Sequence, residues 1–149
     1  MHLTLKFIGE VDELKLATIK NKLINIFENL NAVTIGIAGC AGVFKGKNIK
    51  IIWLKIDKCD KLLKYIHTQI DNSLCEIGIA VDNKYTNHIT LVRIKQVFDK
   101  DALAKFLNSA KEKEFGCFEF NKISLMQSIL SESKPNYKEI FTINLNHER

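Results

Sequence analysis

Hydrophobic residues recur along the chain with two spacings, and the spacing changes several times. Apolar residues three and four positions apart, which are typical of amphipathic helices, occur at 11–30, 60–74 and 99–112. Alternating or β-branched apolar runs, which are typical of strands, occur at 2–8, 33–38, 49–56, 77–81, 88–94, 115–120, 122–130 and 137–145. The pattern therefore predicts an α+β fold with three helices.

Each predicted helix carries one apolar face and two of them have an N-cap residue. Asp60 and Asp99 stand at the starts of the second and third helices, where a side-chain oxygen can accept from the first free backbone N–H groups. A glycine-bearing loop, "GCAGVFKGKN", joins the strands at 33–38 and 49–56. We expect the apolar faces to pack on the sheets.

A four-residue word occurs twice, although the chain has only four histidines. The first motif is "HLTL" at residues 2–5, and the second motif is "HITL" at residues 88–91. Each copy opens a predicted strand that is followed by a helix and two further strands. This predicts an internal duplication with two α+β lobes related by a pseudo-two-fold axis. Two unrelated strand–helix–strand units would give a similar pattern.

The two motifs suggest a shared site because residues i and i+2 of a strand point to the same face. His2 would share a face with Thr4, and His88 with Thr90. If the lobes face each other, two imidazoles and two hydroxyls converge on one cleft. One imidazole can act as general base and a second, protonated one as general acid, while threonine hydroxyls can donate to phosphate oxygens.

Such a set of side chains suits a phosphodiester, especially a strained cyclic one. One histidine would activate water, and the other would protonate the departing sugar oxygen. The alternative interpretation of a single copy is a half-exposed polar strand face without a function. The repetition of the word favours the functional interpretation.

Composition narrows the partners and the compartment. The chain has 149 residues, a net charge of +5 and a pI of about 9.0. A positive charge is typical of proteins that bind polyanions such as nucleic acid. An ordinary solvated surface is an equal alternative. No apolar run reaches the roughly 18–20 residues of a membrane helix, and no signal peptide is visible. The four cysteines form no C-x-x-C pair, so we expect buried free thiols in a reducing cytoplasm and no metal.

The remaining aromatic and histidine residues receive simpler interpretations. His67 is expected to be a surface or satisfied helix residue, and His147 belongs to a polar tail. Trp53 is expected in the core, because its strand is apolar. Phe44 lies in the glycine-bearing loop and is the candidate to contact a nucleotide base.

Several of these segments together resemble one protein family. They are "HLTLKFIGEV", "GCAGVF" followed by "IKIIWLKI", "HITLVRI" with its arginine, and "ISLMQSIL" with the later tyrosine and "FTINL". The set resembles the 2H phosphoesterases, and within them the bacterial and archaeal RNA 2′,3′-cyclic phosphodiesterases, also called 2′-5′ RNA ligases. The resemblance covers nearly the whole chain.

The resemblance implies a fold and an activity. The fold would be a single domain, 1–149, with two intertwined lobes, two mainly antiparallel sheets, outer helices and a central cleft. The activity would be hydrolysis of RNA 2′,3′-cyclic phosphate ends to 2′-phosphates, without metal or cofactor, with weak reversible 2′-5′ joining of tRNA halves in some members. Partners would be RNA ends, nucleotides or tRNA fragments with a cyclic phosphate, and the choice among them stays open.

The resemblance also implies residue roles. His2 and His88 would be catalytic, with His88 as base toward water and His2 as acid, and Thr4 and Thr90 would contact phosphate. Arg93 matches an arginine that often follows the second motif and would also contact phosphate. Strict alternation, however, puts Arg93 on the face opposite His88, so a bulge would have to redirect it.

The chain departs from the family pattern in three places. Asn87 stands where a proline is usual, Lys45 stands where the loop usually continues with proline, and about 35–40 residues usually precede the first motif, more than an average helix plus strand. We expect that loss to leave His2 in a fraying end and to expose an edge that favours a dimer. The alternatives are a catalytically weak homologue that only binds RNA or nucleotide phosphate, and a true chain that begins upstream.

Overall fold

The computed structural model of the chain describes residues 2–45, 48–129 and 135–146, with the backbone alone at 43–45 and 48. Within these ranges the chain forms three helices, as the sequence pattern predicts, and six of the eight predicted strands. The helices are α1 (Glu13–Phe27), α2 (Asp60–Cys75) and α3 (Lys100–Ser109). The strands are β1 (Val33–Lys45), β2 (Asn48–Ile56), β3 (His88–Arg93), β4 (Glu114–Phe120), β5 (Lys122–Ile129) and β6 (Asn136–Asn144).

Both sheets are antiparallel. The larger sheet has the strand order β3-β2-β1-β4, and β5 and β6 pair as a separate two-stranded sheet. α1 packs against α2 and β6, whereas α3 packs against β1. The predicted mixture of antiparallel sheets and helices is therefore confirmed.

The helix starts follow capping rules with one exception. Asp99 caps α3 as predicted, since its side chain accepts from the Ala102 N–H at 2.8 Å. Asp60 does not cap α2. It is the first helical residue, and the capping position is held by Cys59 in a left-handed conformation. The Asp60 carboxylate instead accepts from the Asn87 side chain.

The core lies on one face of the larger sheet, under α1 and α2. In the second half of β2 every second residue is buried, namely Ile52, Leu54 and Ile56. The helices supply seven further buried hydrophobic residues, which are Ile19, Leu23 and Phe27 of α1 and Leu63, Ile66, Ile70 and Leu74 of α2. The opposite face of β2, with Trp53 and Lys55, is thereby left free for a site.

Two predicted strands, 2–8 and 77–81, are wrong. The structure assigns neither of them to a strand. In the 77–81 segment, the backbone N–H groups of the first three residues are used elsewhere. Ile77 and Ile79 donate to the Leu74 carbonyl, and Gly78, at φ +80°, donates to Cys75. This is the closing turn of α2, which leaves these N–H groups unavailable to a sheet.

The 2–8 segment, which we call the first-motif segment, packs on the protein without pairing to any strand in the described ranges. Leu3, Leu5 and Ile8 contact the core cluster. Phe7, which alternation places inward with Leu3 and Leu5, is 78% exposed. The predicted alternation therefore fails at Phe7.

The cysteines are free but are not all buried as predicted. Cys40 is buried and Cys59 is half-buried, whereas Cys75 and Cys117 are exposed. Cys75 is the last residue of α2 and Cys117 belongs to β4, where the neighbouring elements do not cover them. None of the helices described here is long and apolar enough to cross a membrane.

Candidate active site

The second motif lies on β3, next to β2, and its alternation is as predicted. His88 is opposite Lys55, and Thr90 is opposite Trp53. Directly opposed residues of antiparallel strands share a face, so these four side chains lie on one side of the sheet. The intervening pair, Leu54 and Ile89, is buried on the other side.

The His88 ring is oriented by two contacts. Nδ1 lies 2.8 Å from the Thr86 carbonyl oxygen, which can only accept, so Nδ1 carries the hydrogen. In the neutral ring the lone pair is then on Nε2. The Trp53 ring meets the His88 ring edge-on, with centroids 5.5 Å apart and planes at 70°. Nε2 is therefore the atom that can take a proton from a bound molecule.

Arg93 reaches the His88 face through a bulge. Thr90 is opposite Trp53, but the next pairs are Val92 with Ile52 and Arg93 with Ile51. Leu91 is thus an extra residue in β3, and the alternation shifts by one beyond it. Ile51 is two residues from Trp53, so Arg93 lies on the same face as the second-motif histidine.

Lys55 is a site residue that the sequence analysis missed. It is half-buried opposite His88, and no carboxylate or acceptor in the described part of the chain pairs with its ammonium group. Its stem lies against Gly39, where a Cβ would be 3.3 Å from Lys55 Cδ and would collide with the Lys111 carbonyl. The available signal was a lysine two residues after Trp53, on the same face of the predicted strand.

Trp53 is not in the core as predicted. It is half-buried, because its neighbours Ile52 and Leu54 point into the core and alternation turns Trp53 the other way. Phe44 was predicted to contact a base, and its side chain lies outside the described residues. Its backbone pairs with Ile49 at the end of β1.

The first-motif segment is held by α2 and by the loop that leads to β3. His2 is exposed and Thr4 is half-buried. The Leu5 carbonyl lies 2.8 Å from Nδ1 of His67. The Lys6 ammonium donates to the Ala80 carbonyl and pairs with the Asp71 carboxylate. His67 is therefore buried and hydrogen-bonded. Of the two predictions made for it, the satisfied helix residue is confirmed and the surface residue is wrong.

The structure brings the predicted residues of the second motif together, and it anchors the first motif nearby. His88, Thr90 and Arg93 share one face with Lys55 and Trp53. Across the described ranges, no hydrogen bond or ring contact joins His2 or Thr4 to this face. The convergence of the two histidines accordingly stays a prediction.

A cavity of about 420 Å³ lies elsewhere, between α1 and α2. Its walls include Lys22, Tyr65 and Glu76, and none of the predicted site residues contributes to it. In the described part of the chain, no group of three or more His, Cys, Asp or Glu side chains is arranged to hold a metal ion.

Comparison with known sequences identifies relatives of most of the chain. The profile of the family described as LigT like Phosphoesterase matches residues 54–137, a range that includes the second motif. A Methanocaldococcus jannaschii protein named RNA 2′,3′-cyclic phosphodiesterase is 32% identical over 94% of this chain and 78% of its own length. An Aeropyrum pernix protein of the same name is 31% identical over 95% of this chain and 80% of its own length.

Comparison with solved structures supports the same fold. A Thermus thermophilus protein superposes with a TM-score of 0.79 at 18% identity, covering 99% of this chain and 79% of that one. Escherichia coli LigT complexed with 3′-AMP superposes with a TM-score of 0.74 at 17% identity, covering 97% of this chain and 76% of that one. At these identities the likeness concerns the fold alone.

Proposed function

The chain belongs to the LigT-like phosphoesterase family, and we propose that it hydrolyses RNA 2′,3′-cyclic phosphate ends to 2′-phosphates by a two-histidine mechanism. Relatives named for this activity support the reaction. The observation that carries the mechanism is the orientation of His88, whose Nδ1 is engaged by the Thr86 carbonyl while Nε2 stays free.

In the proposed reaction His88 is the base and His2 is the acid. Nε2 of His88 takes a proton from water, and the water oxygen attacks the phosphorus. The bond from phosphorus to the 3′ oxygen breaks, and His2 donates a proton to that oxygen. The products are a 2′-phosphate and a free 3′-hydroxyl, and proton exchange with solvent restores both rings.

The negative charge on phosphate is met by hydroxyls and cations. We assign Thr4 and Thr90 as hydroxyl donors, and Arg93 as a guanidinium partner able to bind two oxygens at once. Lys55 adds a second cation opposite His88. A cation beside the base is suited to stabilise an anionic transition state.

The same site would also support weak reversible 2′-5′ RNA joining. A 5′-hydroxyl of a second RNA would replace water, attack the phosphorus and form a 2′-5′ phosphodiester as the 3′ oxygen leaves. Atoms and protons balance as in hydrolysis, since His88 and His2 keep their roles. Water at its bulk concentration favours hydrolysis over this route.

The alternative is a catalytically weak homologue that binds RNA or nucleotide phosphate. The exposure of His2 favours it, because an acid that is not held near the leaving oxygen contributes little. Structures of Escherichia coli LigT with 3′-AMP and with ATP support nucleotides as ligands in this family. Both functions share the second-motif face.

One experiment separates the two functions. A short RNA with a 2′,3′-cyclic phosphate end is incubated with the protein in EDTA, and 31P NMR distinguishes 2′-phosphate from 3′-phosphate and from the cyclic end. We expect a 2′-phosphate from the wild type and none from His88→Ala. Salt-dependent binding without product from the wild type would instead support the alternative.

The compartment and the oligomeric state are further parts of the proposal. Four free cysteines support a reducing compartment such as the cytoplasm. The dimer predicted from the sequence stays a prediction, for which Phe7, at 78% exposure, is the apolar side chain that follows the first motif. Light scattering of the wild type and of Phe7→Ser would test it.

A further inference from the structure

We propose that His67 is a positioning residue, which holds the first motif against the loop that carries the second. This inference rests on the two-histidine function proposed above. His67 lies in the middle of α2, is 5% exposed, and belongs to neither motif. Its ring contacts three separate parts of the chain.

The first contact is with the first-motif segment. Nδ1 of His67 lies 2.8 Å from the Leu5 carbonyl oxygen, across 62 positions of sequence. A carbonyl only accepts, so the Nδ1–H donates to it. Leu5 directly follows Thr4, which places this bond three residues from His2. No strand in the described ranges pairs with residues 2–8. Side-chain hydrogen bonds of this kind therefore hold the segment in place of β-strand pairing.

The second contact is with the loop before β3. The His67 and Tyr85 rings stack, with centroids 3.7 Å apart and planes within 10°. Nε2 of His67 lies 3.4 Å from the Asp82 carbonyl oxygen. Tyr85 is three residues before His88, so the ring that binds the first motif also contacts the approach to the second.

The third contact is with Asp71, one helical turn along α2. Asp71 Oδ2 lies 3.3 Å from His67 Nε2 and accepts from the Asp82 N–H at 2.9 Å. The other Asp71 oxygen pairs with the Lys6 ammonium, and both side chains are about 95% buried, at 4% and 5% exposure. One buried polar cluster therefore joins residues 5–6, α2 and residues 80–85.

Such a cluster can set catalytic geometry without touching substrate. Buried hydrogen bonds are stronger and more directional than exposed ones, and a displacement of about 1 Å at a reacting group can cost roughly 100-fold in rate. The shortest bond of His67 is the one to the first motif. Its loss should therefore affect the proton donor more than substrate binding.

The test uses two substitutions, each of which places an amide nitrogen at the position of one of the two ring nitrogens. The amide nitrogen of asparagine takes the place of Nδ1, and that of glutamine takes the place of Nε2. His67→Asn thus keeps a donor to Leu5, whereas His67→Gln places its amide toward Asp82 and Asp71 and has no donor for Leu5. Both variants lose the stack on Tyr85, so we expect kcat roughly 10–100-fold lower for His67→Gln than for His67→Asn, with KM changed less than about threefold in both.

Matched controls come from the next residue and from the stacked tyrosine. Thr68 is exposed, so Thr68→Asn and Thr68→Gln should both leave kcat unchanged. The Tyr85 hydroxyl has no hydrogen-bond partner in the described part of the chain, so Tyr85→Phe should behave as wild type, whereas Tyr85→Leu should lower kcat. If an His67 variant fails to fold, the Tyr85 pair still tests the proposal.

A second measurement does not depend on turnover. Hydrogen–deuterium exchange in residues 2–8 should be faster in His67→Gln than in His67→Asn, and faster in Tyr85→Leu than in Tyr85→Phe and wild type. Equal kcat and equal exchange for the asparagine and glutamine variants would overturn the positioning role. If the wild type shows no turnover but the exchange pattern holds, the proposed activity fails and the positioning role stands.

Discussion

Lys55 and His88 lie directly opposite each other across the β2–β3 ladder, so that a lysine cation and the second-motif histidine share one face of the sheet. Neither residue is near the other in sequence. The pairing gives the proposed base a neighbouring positive charge, and it offers a direct way to test where phosphate binds.

Replacing Lys55 should weaken catalysis without unfolding the protein. Lys55→Met keeps the apolar stem beside Gly39 and removes the charge, and a lost charge-assisted hydrogen bond of about 1.5–3 kcal/mol corresponds to a roughly 10–100-fold lower kcat/KM. The steady-state rate on a cyclic-ended RNA is the measurement. Lys61→Met, at an exposed position of α2, is the control. Equal rates for the two variants would remove Lys55 from the site.

The two motif histidines should be needed together. His2→Ala and His88→Ala should each lower kcat by roughly 100- to 10,000-fold, because each removes a positioned proton carrier. The double variant should be little worse than either one, since residues that act as a unit are not additive. A bell-shaped rate profile against pH in the wild type, absent from both variants, is the expected signature. Normal turnover by His2→Ala would mean that another group protonates the leaving oxygen.

Asn87 should stabilise the start of the second motif. It is 2% exposed, and its side-chain amide donates to the Asp60 carbonyl at 3.0 Å and to the Asp60 carboxylate at 2.8 Å. Asn87→Ala removes both bonds, at a cost of about 1–3 kcal/mol and a Tm decrease of roughly 3–10 °C. Thermal melting against the exposed control Asn83→Ala measures this. A Tm equal to that of the control would contradict it.

The loss in Asn87→Ala should depend on pH. Burial acts to raise the pKa of Asp60, but hydrogen bonds from Lys64 and Asn87 lower it below its ordinary value. A lowered folded-state pKa contributes stability above the unfolded value of about 4, and this stability is lost as pH falls through the folded value. The Tm difference between Asn87→Ala and wild type should therefore shrink below about pH 4.

The buried pair of Lys6 and Asp71 should make the protein sensitive to acid. Burial acts to raise the pKa of Asp71, but Lys6, the Asp82 N–H and the nearby His67 lower it below its ordinary value. The stability from this carboxylate is present above about pH 4 and is lost as pH falls further. Urea unfolding should show a shallower loss below pH 4 for Asp71→Asn than for wild type, with the remaining slope due to Asp60 and Glu139.

The same pair should be coupled at neutral pH. Removing one partner leaves a buried charge uncompensated and costs about 3–5 kcal/mol. The double variant Lys6→Met with Asp71→Leu should be more stable than either Lys6→Met or Asp71→Leu alone. Additive losses in urea unfolding would show that the two groups do not interact.

The helices and most strands could be predicted because their buried residues recur in the sequence at the period of the helix or the strand. Ile19, Leu23 and Phe27 repeat at helical spacing, and Ile52, Leu54 and Ile56 repeat at strand spacing, and both sets are buried. Alternation at 77–81 predicted a strand where the structure has a turn, because alternation does not show which acceptor each backbone N–H uses. Gly78, three residues past the end of α2, was the available sign of a closing turn.

The site was predicted only as far as local sequence allows. His88 and Thr90 share a face because they are two residues apart, and that relationship is local. The position of Lys55 depends on the register between β2 and β3, and that of Arg93 depends on a bulge. Neither the register nor the bulge can be inferred from the sequence of one strand. The contacts of His67 join residues 62 and 15 positions away, beyond any periodic pattern.

The extra residue at position 91 ties the spacing between Thr90 and Arg93 to the shape of β3. Leu91 is 43% exposed, so a polar replacement there removes little buried surface. Deleting it would restore regular alternation and keep Arg93 opposite Ile51, two residues after Thr90 and on the His88 face. We therefore expect functional relatives to place the arginine either two residues after the second threonine in a regular strand or three residues after it in a bulged strand.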